Sequence, residues 1–465
     1  MNEKIDRIVL SLKEEIFREA SNLVKIRSVQ TEAAPGKPFG EGVAQALEYT
    51  LRLGERLGFR VKNVDGYAGH IEYGDGERLF AVLGHLDVVP EGEGWSVDPY
   101  GGIIKDGYLW GRGASDNKGP TVAVIYALKA VKEAGVKIKN RVRIILGTDE
   151  ESGWECVKYY FRKEEKPIYA VTPDAAFPII YAEKGIITYR LRFKSSASTS
   201  LNLLKLEGGD APNVVPQTAV AELSPVSNEL VKKLEDFHPK NGAKMSWRVE
   251  DDRLLVRAQG KSAHGSTPER GINAIAALLD FLRDLPLDEG TKIFVGSIAG
   301  RIGYETDGTS LRIAGSDCIT GPLTVNLGTI KMQNDSLEAT INIRYPVYYS
   351  ETMLTRQVKE ALKPIQVEEE HHLPPLFVSP DSELIKILSE VYMEVTNQPV
   401  KLLTMGGGTY ARAVPCGVAF GPLLPGREGT EHQPDERIAL EDLVTVARIY
   451  AQLFYRMLAL WGDER

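Results

Sequence analysis

Residues 79–90, LFAVLGHLDVVP, decide how the first part of this sequence is interpreted. Five apolar residues predict a buried strand, and the polar pair His85 and Asp87 stands where that strand ends. In an extended chain, residues two apart point to the same side, so the Asp87 carboxylate can lie behind the His85 imidazole and fix its tautomer. Taken alone, the pair is explained at least as well by a structural polar turn.

The segments around this strand alternate between helical and extended patterns. Helical spacing covers 3–24 and 41–57, then come strand-like runs, a glycine-rich hairpin near 97–111, and a helix that leads to the strand RVRIILGT. Apolar strands separated by helices predict the α/β fold class, with a mixed, mainly parallel sheet flanked by helices. In such sheets ligands collect beyond the carboxyl ends of the strands.

A different pattern occupies the middle of the chain. From residue 186 the alternating strands ITYRLRF, RLLVRAQG and EATINIRYPV are mixed with a helix, NAIAALLDFLRDL, which predicts an α+β unit. After LPPLFVSPDSE the α/β pattern resumes and ends in the helix ALEDLVTVARIYAQLFYRMLALW. We therefore expect one domain made of 1–185 and 381–465, with a second domain, 186–380, inserted into it.

Composition and charge exclude several classes of protein. The 465 residues carry 64 acidic and 56 basic side chains, a formal net charge of −8. This balance gives no indication of the basic surface that binds nucleic acid. No apolar stretch approaches the ~18 residues that a membrane span needs. The three cysteines are far apart and indicate neither disulfides nor a cysteine zinc site. We expect a cytoplasmic protein without a nucleic-acid or membrane partner.

Four further stretches place acidic or imidazole side chains at strand ends or in adjoining loops. They are GRGASDNKGP with Asp116, TDEESG with Asp149, Glu150 and Glu151, AVTPDAAFP with Asp174, and GTEHQPDE with His432. Local explanations stay open, because Asp116 can cap a helix and the three consecutive acids can favour the positive end of another. Together with His85, these side chains would converge on one sheet edge. Oxygen and nitrogen donors without thiolate suit Zn²⁺, Mn²⁺ or Co²⁺.

These stretches, together with GHLDVVP, GKSAHGSTPERGINA and GGGTYAR, resemble the M20 family of metallopeptidases, most closely its PepV-like dipeptidase branch. They extend from residue 84 to 436, so the resemblance covers nearly the whole chain. It implies a zinc-peptidase-like catalytic domain, an inserted lid domain and two divalent metal ions, with zinc first and manganese or cobalt as alternatives. It also implies a dipeptide substrate, whose peptide bond is hydrolysed by a water molecule that the two metals activate.

The resemblance further implies a role for each candidate residue. The five metal ligands form two pairs and a bridge: His85 with Asp174, Glu151 with His432, and Asp116 between them. Glu150 would be the general base, and Asp87 would orient His85. The peptide bond between Asp116 and Asn117 would be cis.

The substrate contacts that the resemblance implies come from the inserted domain and the glycine cluster. His264 would donate a hydrogen bond to the tetrahedral oxyanion. Without the resemblance, it would be interpreted as a loop histidine that has no functional role. Asn213 and Arg344 would hold the free C-terminal carboxylate of the substrate, for which a guanidinium is well shaped. Three backbone positions would lie beside the dipeptide: Gly407, Gly408 and Thr409.

The length of the middle segment favours the dipeptidase branch. The segment 186–380 is longer than a simple lid domain of this family. The resemblance suggests an enlarged lid that replaces the contribution of a second subunit, so we expect a monomeric active unit. An N-acyl amino acid deacylase or carboxypeptidase with the same metals is the alternative. A non-catalytic peptide-binding protein is a third reading, but the five ligands and Glu150 are all present. His371 and His372, in EEEHH, are interpreted as part of a solvated loop.

Overall fold

The computed structural model of the chain describes residues 1–195 and 201–462. The chain forms two compact units: the first comprises Met1–Tyr181, Phe377–Leu403 and Thr409–Arg465, and the second comprises Ala182–Leu376 and Thr404–Gly408. The segment 404–408 differs from the sequence expectation, which placed it with the final part of the chain. It belongs to the second unit, where the Lys184 N–H donates to the Met405 carbonyl at 3.0 Å.

The elements of the first 183 residues alternate between helices and strands, as their apolar periodicity predicts. They are α1 Glu3–Ser11, α2 Lys13–Val24, α3 Glu41–Arg56, β1 Arg60–Val64, β2 Ala68–Tyr73, β3 Leu79–His85, β4 Ile103–Lys105, β5 Tyr108–Trp110, α4 Lys118–Ala134, β6 Arg141–Gly147, α5 Glu155–Lys163, β7 Tyr169–Thr172, β8 Ala175–Ala176 and β9 Ile179–Glu183.

The middle of the chain is richer in strands. Its elements are β10 Gly185–Lys194, β11 Asn202–Gly208, β12 Thr218–Ser224, α6 Asn228–Glu235, β13 Lys244–Glu250, β14 Arg253–Gln259, α7 Ala274–Leu282, α8 Glu289–Arg301, β15 Ser316–Asp317, β16 Gly321–Pro322, β17 Thr324–Gln333, β18 Ser336–Tyr345, α9 Glu351–Ala361, β19 Gln366–Leu373 and β20 Leu376–Phe377.

The last segment returns to the α/β pattern. Its elements are α10 Glu383–Thr396, β21 Leu402–Met405, β22 Gly417–Ala419, β23 Pro422–Leu423, β24 Arg437–Ala439 and α11 Leu440–Tyr455, with a π-helical turn at Arg456–Leu460.

The main sheet has the order β1-β2-β6-β3-β7-β22-β9-β20, and β21 also pairs with β9. Its centre is parallel, because β6, β3, β7 and β22 pair in one direction, whereas β1, β2 and β9 are added antiparallel at the two ends. Every residue of β3 is buried, which explains its continuous apolar run. The mixed α/β sheet flanked by helices is therefore confirmed, although its parallel part is confined to the centre.

Two long helices pack against each other in the first unit, α4 and α11. The continuous helix Leu440–Leu460 has 21 residues and a mean hydropathy of 1.2, enough for a membrane span by length and composition. The expectation that no apolar stretch approaches that length is wrong for this helix. However, 67% of its most apolar window is buried inside the unit, and a core helix is apolar for the same reason.

The second unit contains an antiparallel sheet with the order β13-β14-β12-β11-β17-β18-β10-β19. β14 shows the alternation of buried and exposed residues that one covered face requires, and α7 packs on this sheet. The predicted α+β architecture is therefore present. The loop predicted for His371 and His372 is wrong: both lie in β19, which pairs with β10, and His372 Nε2 lies 2.6 Å from the Tyr345 hydroxyl.

A buried histidine near the antiparallel edge of the first sheet offers a test of stability. His70 is 6% exposed, and its Nδ1 lies 2.8 Å from the Tyr160 hydroxyl. Burial, helped by the nearby Arg143 guanidinium, lowers the pKa of His70 to about 4. The unfolded chain therefore binds more protons than the folded one between pH 4 and 6.5, so this contribution to stability is complete above pH 6.5 and declines as the pH falls.

We expect the wild-type protein to lose about 2 kcal/mol through His70 alone between pH 7 and pH 5. The His70→Gln variant keeps a hydrogen-bonding side chain, but glutamine cannot titrate. Between pH 7 and pH 5 its free energy of unfolding should therefore fall by about 2 kcal/mol less than that of the wild type. The measurement is the difference between the urea midpoints at the two pH values, compared between the two proteins. Equal losses in both would contradict the prediction.

Candidate metal centre

Three parallel strands of the first unit end at the same edge of the sheet, and candidate side chains follow each of them. β3 ends at His85, the turn 148–151 follows β6, and Asp174 lies two residues beyond β7. Parallel strands run in one direction, so their carboxyl ends meet at one edge. His85 Nε2 consequently lies 3.4 Å from Asp174 Oδ1.

Asp116 completes a first group with these two residues. His85 Nε2 is 2.8 Å from Asp116 Oδ1, and the candidate ligand atoms of all three residues lie within 4.8 Å of one another. Burial raises the pKa of Asp174 to about 7. Burial opposes a charge on His85, but the Asp174 and Asp116 carboxylates outweigh it and raise the pKa of His85 well above its ordinary value. The group thus favours a positive charge at its centre.

A second group shares Asp116. His432 Nε2 lies 3.0 Å from Asp116 Oδ2 and 3.1 Å from Glu151 Oε1. Burial and the neighbouring Asp116 raise the pKa of Glu151. Burial opposes the charge on His432, but its two carboxylate partners raise the pKa of His432 to about 11. The five residues predicted as ligands are therefore brought together as two groups of three, with Asp116 common to both.

The donor set fits divalent metal ions. Each group offers one imidazole nitrogen and two carboxylates, without thiolate, which are ligands that zinc, manganese and cobalt accept. Asp116 directs Oδ1 towards the first group and Oδ2 towards the second, as a carboxylate between two cations would. The side chains of the three carboxylates of the two groups are only 10 to 16% exposed, which is costly without a compensating cation, and the raised pKa values of Asp174 and Glu151 reflect that cost.

Asp87 contacts the His85 ring differently from the sequence expectation. The closer partner of His85 Nδ1 is the main-chain oxygen of Asp87 at 3.0 Å, and the Asp87 carboxylate oxygen Oδ1 lies 3.5 Å away. The Asp87 side chain thus faces the Nδ1 side of the ring, as the spacing of two residues predicts, but the main-chain oxygen is the hydrogen-bond partner. The other carboxylate oxygen accepts the Glu151 N–H at 3.1 Å, which links the ends of β3 and β6.

The loop that carries Asp116 is held by a buried carboxylate that sequence reasoning missed. Glu436 is 0% exposed, and its Oε1 accepts the main-chain N–H groups of Gly113, Ser115 and Asp116 at 3.0 to 3.1 Å. Its other oxygen receives the Arg112 guanidinium at 2.6 Å. A signal was available, because Arg112 and Glu436 are letters of the motifs GRGASDNKGP and GTEHQPDE. Their opposite charges can satisfy each other in the interior.

Asn117 links this loop to Asp174, and sequence reasoning also missed it. Its amide nitrogen donates to the Pro173 carbonyl and lies 3.4 Å from Asp174 Oδ1, and its oxygen accepts the Thr121 hydroxyl at 2.9 Å. The Asp116–Asn117 peptide bond is cis, as the resemblance implies. The residue that precedes α4 as its N-cap is Asn117, so the capping explanation for Asp116 does not apply.

Glu150 directly precedes Glu151 in the sequence and belongs to neither group. Burial and the nearby Asp174 raise the pKa of its carboxyl well above the ordinary value. A hydrogen bond holds the main chain at Glu150: the Trp154 indole N–H donates to the Glu150 carbonyl at 2.7 Å. The Asp149 carboxylate accepts the N–H groups of Gly153 and Glu155, so the helix-terminus explanation holds for Asp149.

Tyr410 packs against both the candidate ligand His85 and this turn. Its ring meets the His85 ring edge-on at 6.3 Å and the Trp154 ring at 5.4 Å, and its hydroxyl lies 2.9 Å from Cys156 Sγ. β6 ends in Gly147, where a Cβ would lie 2.3 Å from the Tyr410 ring, so only glycine fits. The motif GGGTYAR contains Tyr410, but sequence reasoning used only its glycines and threonine.

The sequence profile described as peptidase family M20/M25/M40 matches residues 81–456, which include all five residues of the two groups. The chain belongs to the M20 peptidase family. It is therefore a peptide hydrolase, and the family inferred from the motifs is confirmed. Enzymes of this family are metal-dependent, in agreement with the donor groups of this M20 peptidase.

Individual proteins extend the comparison over the whole chain. The "Putative dipeptidase YtjP" of Bacillus subtilis (strain 168) is 42% identical over 456 residues, covering 97% of this chain and 98% of that protein. The crystal structure of human carnosine dipeptidase 1 matches with a TM-score of 0.60 at 16% identity, covering 98% of this chain and 99% of that one. The Saccharomyces cerevisiae di-peptidase Dug1p matches with a TM-score of 0.59 at 13% identity, covering 98% of each chain. The two solved structures show that the fold is shared.

In the second unit of this M20 peptidase, two of the predicted substrate residues are neighbours. The Gly265 N–H donates to the Asn213 carbonyl at 2.6 Å, and His264 pairs with Val214 in an isolated bridge. His264 is exposed, and its Nδ1 lies 2.6 Å from the Ser266 hydroxyl. Asn213 and His264 thus stand side by side on two adjoining loops.

Arg344 is buried in the same unit and held in a fixed direction. Its Nε donates to Asn342 Oδ1 at 2.8 Å, and its Nη1 donates to the Gly406 carbonyl at 3.0 Å. Asn342 lies opposite Asn326 on the neighbouring strand, and the Asn326 amide donates to the Val214 carbonyl at 2.9 Å. Two asparagines therefore connect Arg344 to the loop of Asn213.

The glycine cluster is divided between the units. Gly407 and Gly408 belong to the second unit, and Thr409 belongs to the first, where it is 2% exposed. The Thr409 hydroxyl accepts the Ala411 N–H at 3.3 Å. Its predicted contact with a dipeptide stays a prediction.

If Glu150 is the general base that the resemblance implies, the bond from the Trp154 indole to its carbonyl should affect catalysis moderately. Trp154→Phe keeps an aromatic ring but removes the donor, so Glu150 loses one restraint. Since a typical hydrogen bond contributes about 0.5–1.5 kcal/mol, we expect kcat to fall roughly three- to tenfold, with KM and metal content unchanged. The control is Trp95→Phe, because the Trp95 indole donates to the Glu91 carbonyl with the same length of 2.7 Å. An unchanged kcat in Trp154→Phe would refute this role.

Proposed function

We propose that this M20 peptidase is a metal-dependent dipeptidase that uses two divalent ions, zinc first and manganese or cobalt as alternatives. The observation that carries the proposal is the pair of donor groups that share Asp116 through different oxygens, with Glu150 beside them and outside both. The relative named as a dipeptidase at 42% identity supports the choice of substrate. The acidic composition supports a cytoplasmic location.

In this proposal each ion has two ligands of its own, and the fifth ligand is shared. His85 and Asp174 would hold one ion, Glu151 and His432 would hold the other, and Asp116 would contact both. When bound, a pair of such ions lowers the pKa of water and polarises a peptide carbonyl. Asp87 keeps the His85 ring in place through its main-chain oxygen at Nδ1, which leaves Nε2 free to act as the ligand atom.

Glu150 supplies the acid–base chemistry. Its carboxylate takes a proton from the attacking water and then delivers it to the nitrogen of the leaving amine, as a general base and acid. Its position outside both donor groups supports this role, because a carboxylate that holds a metal cannot also transfer protons freely. Trp154 and Asp149 hold the turn that carries it.

The second unit supplies the contacts to the substrate. Arg344 and Asn213 bind the free carboxylate at the C-terminal end of the dipeptide, and His264 donates a hydrogen bond to the oxyanion that forms at the scissile carbonyl. Gly407, Gly408 and Thr409 offer backbone beside the substrate. The buried, doubly anchored guanidinium of Arg344 supports the carboxylate contact, because its direction is set before a ligand arrives.

A comparison of two substrates tests the dipeptidase against the deacylase alternative. The purified protein is reconstituted with Zn²⁺, Mn²⁺ or Co²⁺, its metal content is measured, and Ala-Ala is compared with N-acetyl-alanine. A dipeptidase should lose most of its activity when the amine is blocked. Faster cleavage of N-acetyl-alanine would instead identify a deacylase with the same metals.

The proposal includes a monomeric active unit. The second unit spans Ala182–Leu376, which is long enough to provide the substrate contacts from the same chain. We expect sedimentation velocity at assay concentrations to give a monomer, with activity per chain independent of dilution. Activity confined to a dimer would contradict this part of the proposal and leave the chemistry unaffected.

A further inference from the structure

The last strand at one end of the second unit's sheet pairs on one side only. This strand, β13, spans Lys244–Glu250, and among the described strands it pairs with β14 alone. Its seven residues follow β14 without a register shift and contain no proline. Bulges and prolines are the features that stop an edge strand from accepting another strand. The outer edge of β13 is therefore open to pairing.

The turn between β13 and β14 fixes which main-chain groups of β13 point outwards. Asp251 and Asp252 form a two-residue turn, with φ 46° and 60°. In such a hairpin the flanking pair, Glu250 and Arg253, is hydrogen-bonded. Hydrogen-bonded and non-hydrogen-bonded pairs alternate along an antiparallel ladder. The N–H and C=O groups that point away from β14 are therefore those of Met245, Trp247 and Val249.

These three residues also carry the apolar side chains of β13. They pair with Leu254, Val256 and Ala258 of β14, which are fully buried, so they lie on the core face of the sheet. Even so, Trp247 is 39% exposed and Val249 is 51% exposed. The apolar face of the sheet thus continues to the open edge, where a further strand with its own apolar residues would cover it.

The sequence of β13, KMSWRVE, is complementary to itself in the antiparallel direction. If Trp247 lies opposite Trp247 of a second copy, the register fixes the other pairs. They are Lys244 with Glu250, Met245 with Val249, and Ser246 with Arg248. Opposite charges then face each other at both ends of the strand, and apolar side chains face each other between them. Two-fold symmetry makes each of these pairs twice.

The neighbouring registers are less favourable. A ladder centred on Ser246 places Lys244 opposite Arg248, and one centred on Arg248 places that guanidinium opposite its own copy. The register centred on Trp247 also sets the outward-pointing N–H and C=O groups of the two strands opposite one another, as hydrogen-bonded pairs require. Charge and hydrogen bonding therefore select the same register.

We propose that β13 pairs with β13 of a second copy of this chain, antiparallel and centred on Trp247, so that the two sheets join across a two-fold axis. β13 contains none of the candidate ligands or substrate residues, so this inference does not depend on the proposed function. One strand pair is a small interface, and small interfaces bind weakly. The dimer should form at roughly 10–100 µM chain and dissociate at the much lower concentrations of an enzyme assay, where the monomeric active unit applies.

An exchange of the charges at the two ends of β13 tests both the pairing and its register. Lys244→Glu and Glu250→Lys each place like charges opposite one another at both ends of the dimer. The double variant Lys244→Glu/Glu250→Lys restores opposite charges. Lys205→Glu is the matched control, because Lys205 is equally exposed to a charge change on β11, an internal strand of the same sheet. Sedimentation velocity over about 1–200 µM gives the dimer dissociation constant of each protein.

We expect each single variant to raise the dissociation constant at least about tenfold, and the double variant to return it to within about threefold of the wild type. Lys205→Glu should leave it unchanged, and circular dichroism should show the same fold in all five proteins. A wild-type chain that stays monomeric at about 200 µM would overturn the proposal. So would a dimer that both single variants leave intact, or one that the double variant fails to restore.

Discussion

Glu150→Gln is expected to lower kcat for dipeptide hydrolysis by about 10²- to 10⁴-fold, because an amide of the same shape cannot accept a proton from water. Glu150 belongs to neither donor group, so the variant should still bind the same amount of metal. KM should change little, since the contacts to the substrate remain. Steady-state kinetics with Ala-Ala, together with metal analysis of the same sample, checks both expectations.

Glu155→Gln is the matched control for this substitution. Glu155 lies five residues further along, and its side chain is 55% exposed and paired with Lys158 at 2.7 Å. Its kcat should equal that of the wild-type enzyme. If Glu150→Gln kept full activity with its metals bound, Glu150 could not be the base, and a non-catalytic role for the turn would have to be considered. If it lost its metals, Glu150 would be a ligand instead.

Asp116→Asn is expected to remove most of the bound metal and to lower kcat at least about 10³-fold. The reason is that each metal supplies several kcal/mol of charge stabilisation in the transition state. Asp116 is the only residue shared by the two donor groups in the described part of the chain. Its amide replacement offers one oxygen where the carboxylate offers two. Elemental analysis after dialysis should show a loss from both sites.

Asp174→Asn provides the comparison within the site, since Asp174 belongs to the first group alone. It should retain more metal than Asp116→Asn. Asp106→Asn is the control outside the site: Asp106 is 74% exposed and has φ 53°, a conformation that asparagine accepts. Equal metal loss in Asp116→Asn and Asp174→Asn would contradict the idea of a shared carboxylate.

The fold of the first unit could be predicted where apolar periodicity was unambiguous. β3 was predicted from five consecutive apolar residues, and its position between two parallel neighbours explains why all of them are buried. The first helical pattern did not reveal that α1 and α2 are separate. Leu12 has φ −91° and ψ 0°, and its N–H reaches two carbonyls, a local irregularity that leaves the apolar spacing intact.

Other errors came from charge patterns that do not distinguish a strand from a loop. The run EEEHH was interpreted as a solvated connector, yet it forms most of β19 on the edge of the second sheet. An edge strand exposes one face to water and tolerates charges, so its sequence lacks the apolar alternation of an internal strand. Pairing with β10 decides its conformation, and that partner is distant in sequence.

The chemical types of the candidate metal ligands were determined by the sequence alone. Imidazole and carboxylate side chains at the ends of predicted strands indicated a metal site, because parallel strands end at one edge whatever their exact order. The tertiary structure alone decided how these donors are divided. Asp116 contacts the two groups through different oxygens, and Glu436, more than 300 residues away, holds its loop by three main-chain hydrogen bonds. Such contacts depend on which distant segments pack together, and local periodicity carries no information about that.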